Sequence, residues 1–323
     1  MLVTGASGSM GGSLSLWLAE RGAQVQALVR SPEKAAFLHN VAGIKIVQGD
    51  LSCPESLLKA VQGCRFVFHC GAALSGGMAV QWAGNVDGTR NMARAAAQAG
   101  VERMVHISTI SVYPMIKGDV TEETEITPDN GPYPITKVEA EKVLIKVACE
   151  TGLRYSVIRP GAIYGPRGHW TKNIMALARN NPIWFIGQGT GVLPLIYMED
   201  LLEECLICAT HPSAEGEAFN GAYSPHPSIK RVLLAFAAAS GHHNYVGIPV
   251  APVRGLVRLL AAIAPASSQL KMGPALFETI LVPKRYSMEK AKRLLGWQPK
   301  VDVDEGVQKS LSWMREVGLL KQV

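Results

Sequence analysis

Three glycines spaced three apart, Gly5, Gly8 and Gly11, lie between an apolar start, Leu2-Val3, and the helical pattern Leu14-Ser15-Leu16-Trp17-Leu18. A strand that turns at once into a helix needs residues without a Cβ at that point. They allow the tight turn, the close approach of a ligand to the backbone, and tight helix–sheet packing. The helix that follows offers unpaired N–H groups and the positive end of its dipole, which suit a pyrophosphate. The turn therefore implies a dinucleotide site built on Gly5, Ser7, Gly8, Ser9, Met10 and Gly11. The spacing is G-x-x-G-x-x-G, not the general G-x-G-x-x-G, so its position between strand and helix carries the weight.

The chain beyond this turn keeps the same rhythm. Strands are expected at 24–29, 44–47, 65–69, 103–107 and 154–158. Helices are expected at 10–21, 32–39, 54–61, 82–99 and 133–150. Such alternation specifies an α/β fold, a Rossmann-type doubly wound parallel sheet. After about Pro160 the rhythm breaks. Loops with Gly165-Pro166-Arg167-Gly168 and Gly187-Gln188-Gly189 alternate with helices near 200–209, 229–239, 287–295 and 303–317. The expected division is a dinucleotide-binding domain at 1–160 and a smaller, irregular α/β substrate lobe at 161–323, some later segments returning to the first.

Composition narrows the function classes. At 323 residues, 48% hydrophobic and 18% charged, the chain buries a core without a disulfide or metal staple. The net charge of +6 is scattered, with no run of five basic residues, so no nucleic-acid platform is expected. Cys205-Leu-Ile-Cys208 falls within a helical pattern and reads as two packed thiols, and no cluster completes a metal site. Met1-Leu-Val-Thr-Gly5 lacks the marks of a signal peptide. The apolar stretch 247–266 contains Arg254, Arg258 and three prolines and falls short of a membrane span. The expected location is the cytoplasm. Residues 247–263 are expected to form a helix whose Leu256, Val257, Leu260 and Ile263 face a pocket, a partner chain or a membrane surface, a peripheral contact only. A homodimer is the expected assembly.

The end of the second strand decides between cofactors. A carboxylate there accepts from the adenine ribose 2′-OH of NAD, whereas a basic residue accommodates the 2′-phosphate of NADP. Here it reads Val29-Arg30-Ser31, with no carboxylate before Glu33. Arg30 therefore points to NADP (as NADPH), with NAD the alternative.

Tyrosine four residues before lysine puts both on one helix face, where an ammonium favours the phenolate. The pattern occurs three times: Tyr113/Lys117, Tyr133/Lys137 and Tyr286/Lys290. Tyr113 precedes Pro114 in a loop, and Tyr286 is expected to open a C-terminal helix far from the glycine turn. Tyr133 begins a long helix 24 positions after Thr109, whose hydroxyl sits at a strand's carboxyl end, where open α/β sheets bind ligands. Thr109, Tyr133 and Lys137 are the candidate catalytic residues. His69 and His106 are read as satisfied core histidines, and Met78, Trp82, His169 and Trp170 as pocket candidates.

Together these motifs resemble an extended short-chain dehydrogenase/reductase of the NAD(P)-dependent epimerase/dehydratase superfamily. The resemblance runs through Gly49-Asp50-Leu51, His69-Cys70-Gly71-Ala72-Ala73, Asn85-Val86-Asp87-Gly88-Thr89, Ser108-Thr109, Arg159-Pro160-Gly161-Ala162-Ile163-Tyr164-Gly165-Pro166 and Tyr197-Met198-Glu199-Asp200-Leu201. It implies that Asp50 hydrogen-bonds the adenine and that Ala72 and Ala73 line the adenosine side. Leu51, Cys70, Gly71, Asn85, Ile107, Pro160 and Ile163 complete the cofactor contacts. It also implies that Lys137 holds the nicotinamide ribose, that Tyr133 is the general acid/base, and that Thr109 hydrogen-bonds the substrate oxygen. The tail 283–299 resembles the 3β-hydroxysteroid and sterol dehydrogenase branch, so a small hydrophobic substrate is expected.

Two other readings compete. In a nucleotide-sugar epimerase, Arg167, Lys172 and Arg179 would be the candidate cations for a substrate diphosphate. The 4,6-dehydratases place Asp-Glu directly after the catalytic Thr, and here Ile110-Ser111 follows. A non-catalytic dinucleotide-binding protein of this kind usually lacks the Tyr/Lys pair, which this chain retains.

Overall fold

The computed structural model describes residues 1–114, 116, 118–127, 131–239, 241, 244–264, 277, 281 and 284–320. Seven strands form one parallel sheet. Across it they run Ile44–Gln48, Val25–Val29, Leu2–Thr4, Phe66–His69, Arg103–Ile107, Tyr155–Pro160 and Ala218–Gly221. Leu2–Thr4 and Phe66–His69 are wholly buried, as apolar strands covered on both faces must be. The strand order reverses between these two, which opens a crevice beyond their carboxyl ends. Register aligns those ends: Thr4 pairs with Leu28 and His69, and His69 with His106.

Helices Ser9–Glu20 and Met198–Thr210 pack on one face through Leu14, Leu18, Leu201 and Cys205, joined by Ala291 and Trp297 from the C-terminal part. Leu57, Met92, Ala96, Leu144 and Val147 cover the other face. Beyond residue 160 a separate core gathers Tyr164, Ile174, Phe185, Phe236 and Leu311. Two short parallel strand pairs flank it, Ala162–Tyr164 with Leu195–Tyr197 and Ile183–Ile186 with Tyr245–Ile248.

Three elements differ from expectation. The helix expected at 82–99 begins at Met78 and contains a widened π turn, Trp82–Asp87, before continuing as Gly88–Gln98. Tyr286 does not open a helix. It ends a strand, Lys284–Tyr286, paired with Gly118–Val120, and the helix that follows is Glu289–Leu295. Gly247 lies in the strand Tyr245–Ile248, and the apolar helix runs Val250–Ile263. There Leu256, Leu259, Leu260 and Ile263 are exposed, while Val257 is half-buried. No helix among the described residues is long and apolar enough to cross a membrane.

Candidate active site

The glycine turn is as tight as its spacing requires. Gly5 has φ +65°, and a Cβ there would lie 2.8 Å from the backbone of Gly71. A Cβ on Gly11 would lie 2.5 Å from the Gly5 carbonyl oxygen. Gly8 N–H donates to Gly5 C=O at 2.9 Å, and helix Ser9–Glu20 starts with neither a side-chain cap nor an acidic residue in its first turn. Its first turn therefore has leading N–H groups without a side-chain cap and no acidic residue of its own. Arg30 is exposed at the end of the second strand, and its charge helps lower the Asp50 carboxyl, after the hydrogen bonds from Ser52. Asp50 accepts from Ser52 N–H at 2.8 Å and Ser52 Oγ at 2.7 Å.

A polar clamp fixes the opposite wall. Asn85, on the π turn, accepts from Ala73 N–H at 2.6 Å and donates to Ala73 C=O at 3.1 Å and to Thr136 Oγ1 at 2.9 Å. The Cys70–Ala73 loop is thereby tied to helix Pro132–Thr151, which carries Tyr133 and Lys137. Leu51 packs against Gly71, and burial pushes the Cys70 thiol up to about 12. Pro160 ends its strand and Ile163 lies on the next, joined by Gly161, where a Cβ would clash with the Pro194 carbonyl oxygen.

Lys137 is 2% exposed, and its Nζ donates to Ile107 C=O at 2.6 Å with His106 Nε2 at 3.3 Å. An ammonium has only donors, so His106 Nε2 accepts and the ring proton sits on Nδ1, which is buried without a partner. His69, stacked 5.4 Å from His106, is satisfied as expected, with Thr4 Oγ1 at 2.9 Å and Thr89 Oγ1 at 3.1 Å. His106 is not. Burial, followed by the Lys137 charge, holds both rings neutral, His69 down at about 3 and His106 well below its ordinary range. Burial draws Lys137 down to about 8 and pushes the Tyr133 phenol up to about 12. Burial is the cause of the Tyr133 shift, and the Lys137 Nζ is engaged by the strand. Thr109 is 8% exposed, and its Oγ1 accepts from Ser111 N–H and donates to Ser111 Oγ, both at 3.1 Å.

Ser108, Tyr113 and Arg159 also join a buried network whose pairing, with Glu141 and Asn220, the sequence does not reveal. Arg159 pairs bidentately with Glu141, Nη2–Oε2 at 2.7 Å and Nε–Oε1 at 3.1 Å. Ser108 Oγ also donates to Glu141. Arg159 Nη1 donates to Tyr113 Oη, which donates to Asn220 Oδ1, both at 2.8 Å. Tyr113 is thus a buried structural phenol, and Lys117 lies outside the described residues. Tyr286 packs on Tyr113 and His226, and Lys290 pairs with Glu217 at 2.7 Å. Cys205 and Cys208 are buried free thiols. Met78, Trp82, His169 and Trp170 are exposed. Arg179 turns to Leu319 C=O at 2.7 Å and Lys172 is exposed. Among the described residues no group of three metal-ligating side chains converges.

Known proteins agree with this architecture. A family model described as "NAD dependent epimerase/dehydratase family" matches residues 1–222. A 2-alkyl-3-oxoalkanoate reductase of Stenotrophomonas maltophilia (strain K279a) is 30% identical, covering 96% of this chain and 97% of that protein. A 3-beta-hydroxysteroid dehydrogenase of Mycolicibacterium neoaurum is 28% identical, covering 98% and 92%. In fold, the chain is similar to a UDP-glucuronic acid 4-epimerase from Bacillus cereus in complex with NAD, at a TM-score of 0.78 and 20% identity over 98% of each chain.

Proposed function

The chain belongs to the NAD-dependent epimerase/dehydratase family, and from that premise we propose that it is an NADPH-dependent oxidoreductase interconverting a ketone and a secondary alcohol on a hydrophobic, steroid-like or lipid-like substrate. The observation that carries the reading is a convergence at the carboxyl end of Arg103–Ile107. Lys137, on the helix that bears Tyr133, is anchored on Ile107 C=O, two residues before Thr109, which supports this reading. The reductase and the steroid dehydrogenase named above support the substrate class.

The residues present fit a dinucleotide. The uncapped helix end and the glycine cradle, which a Cβ at Gly5 or Gly11 would fill, suit its pyrophosphate. Exposed Arg30 suits a 2′-phosphate. When bound, the cofactor supplies the hydride. The protein's own groups do the rest. Tyr133 Oη is the donor for the carbonyl oxygen, and Thr109 Oγ1 would join it by turning its proton from Ser111 Oγ toward the charge that develops there. A phenol held near 12 stays protonated at neutral pH, which is the form that delivers a proton during reduction. Lys137 supplies a fixed cation on the same helix.

The test is NADPH consumption with a panel of β-keto acids and 3-ketosteroids. Tyr133→Phe should lower kcat by about two to four decades with cofactor affinity little changed. Tyr113→Phe and Tyr286→Phe should keep the wild-type kcat. Full activity in Tyr133→Phe, or turnover of UDP-sugars without net cofactor consumption, overturns the reading.

A further inference from the structure

Arg167 comes from the second lobe but reaches the opening turn of helix Ser9–Glu20. It belongs to the loop after strand Ala162–Tyr164, and Thr171 Oγ1 pins that loop through Gly165 N–H at 2.8 Å and Gly165 C=O at 2.7 Å. Arg167 itself has φ +62°, a left-handed conformation uncommon for a residue with a side chain. Its carbonyl accepts from Ser9 Oγ, so the loop lies against the first turn of helix Ser9–Glu20. Its guanidinium stacks 3.5 Å above the ring of Phe37. Phe37 in turn presses on Gly12, one helical turn in, where a Cβ would sit 2.7 Å from the ring. Phe37 lies on Pro32–Leu38, the segment that follows Arg30. A cation from the second lobe therefore sits beside the opening turn of helix Ser9–Glu20 and the segment that follows Arg30.

Its electrostatics are incomplete. Arg167 Nε is buried without a partner, and among the described residues no carboxylate pairs with the group. Burial pulls its pKa down with nothing opposing it. The neighbouring helix end is itself positive and has no acidic residue in its first turn. A partly desolvated cation beside a positive helix end is unfavourable unless an anion completes the arrangement.

We propose that Arg167 is a phosphate ligand of the bound dinucleotide, closing the glycine turn from the second lobe. This rests on the dinucleotide reading above and adds a residue to it. The loop that carries Arg167 also leads into helix His169–Ala178 of the second core, so cofactor binding would order that side of the cleft.

The experiment titrates wild type, Arg167→Met and Arg167→Lys with NADPH and with NADH by intrinsic fluorescence, at low and moderate salt. Charge-assisted bonds of this type correspond to at least tenfold in affinity, so Arg167→Met should bind at least tenfold more weakly and with a shallower salt dependence. Equal losses for both cofactors assign the contact to the pyrophosphate, and a loss for NADPH alone assigns it to the 2′-phosphate. Arg167→Lys keeps the charge but not the planar fork and should fall between the two. It answers the same question if Arg167→Met does not fold. Wild-type affinity for both cofactors in both variants, or a rise in substrate KM alone, overturns the proposal. If the wild-type chain binds neither cofactor, the dinucleotide reading itself falls.

Discussion

Lys137 is a buried cation, and removing it should trade function for stability in a pH-dependent way. Its folded pKa is about 8 against 10.5 in the open. At about 1.4 kcal/mol per unit, burial of the ammonium costs about 3 kcal/mol when the site is fully protonated. Between those two values the unfolded chain binds more protons than the folded one, so stability rises with pH across the window. Below about pH 8 the full cost is present, and above about 10.5 it is gone. His69 and His106 are already neutral in the folded chain across that window, and the Cys70 thiol, pushed by burial from 9.0 up to about 12, contributes a slope of opposite sign that both proteins share. Lys137→Met should therefore remove the lysine's contribution and leave that of the buried thiols, so the difference between the two proteins isolates Lys137. It also loses the bond to Ile107 C=O, about 1 kcal/mol, so the net gain at pH 7 is roughly 1–2 kcal/mol. Urea unfolding of both proteins from pH 7 to 10, without cofactor, is the assay. The stability difference should shrink and reverse, changing by about 2–3 kcal/mol in favour of wild type. Parallel curves would refute the assignment of a desolvated ammonium.

Arg30→Ala should abolish most of a preference for NADPH over NADH that is at least tenfold in the wild type, without weakening NADH; equal dissociation constants in the wild type refute the role given to Arg30. Glu141→Gln strands the Arg159 cation, whose side chain is 7% exposed against 2% for Glu141, and should cost about 3–5 kcal/mol in urea unfolding. An unchanged midpoint would show that the pair contributes nothing to the fold.

Much of the fold is legible because its signals are local. Helix Pro54–Val61 and strand Arg103–Ile107 stand where periodicity and flanking residues put them. The glycine turn is legible for the same reason, since it needs only residues without a Cβ between an apolar strand and an amphipathic helix. Local spacing also produced three equivalent Tyr/Lys pairs, and nothing local separates them decisively. Packing separates them. Tyr113 is enclosed by Arg159 and Asn220, and Tyr286 is paired into a strand with residues more than 160 positions away. The three-residue strand Lys284–Tyr286 has no periodicity to read, because it exists only through that distant partner.

The direction of each charged side chain is likewise a tertiary decision. Sequence spacing puts Lys137 on one helix face with Tyr133. Whether the ammonium serves the phenol or the strand depends on what the sheet offers, and here Ile107 C=O and His106 Nε2 take it. The place of Arg167 in the chain puts it in the substrate lobe, yet the fold turns it over Phe37 beside the first helix. Residue types and local spacing determine which elements form and which chemistry the chain carries. Which polar groups are desolvated, and against whom, depends on contacts between distant segments, and so only the assembled tertiary structure decides it.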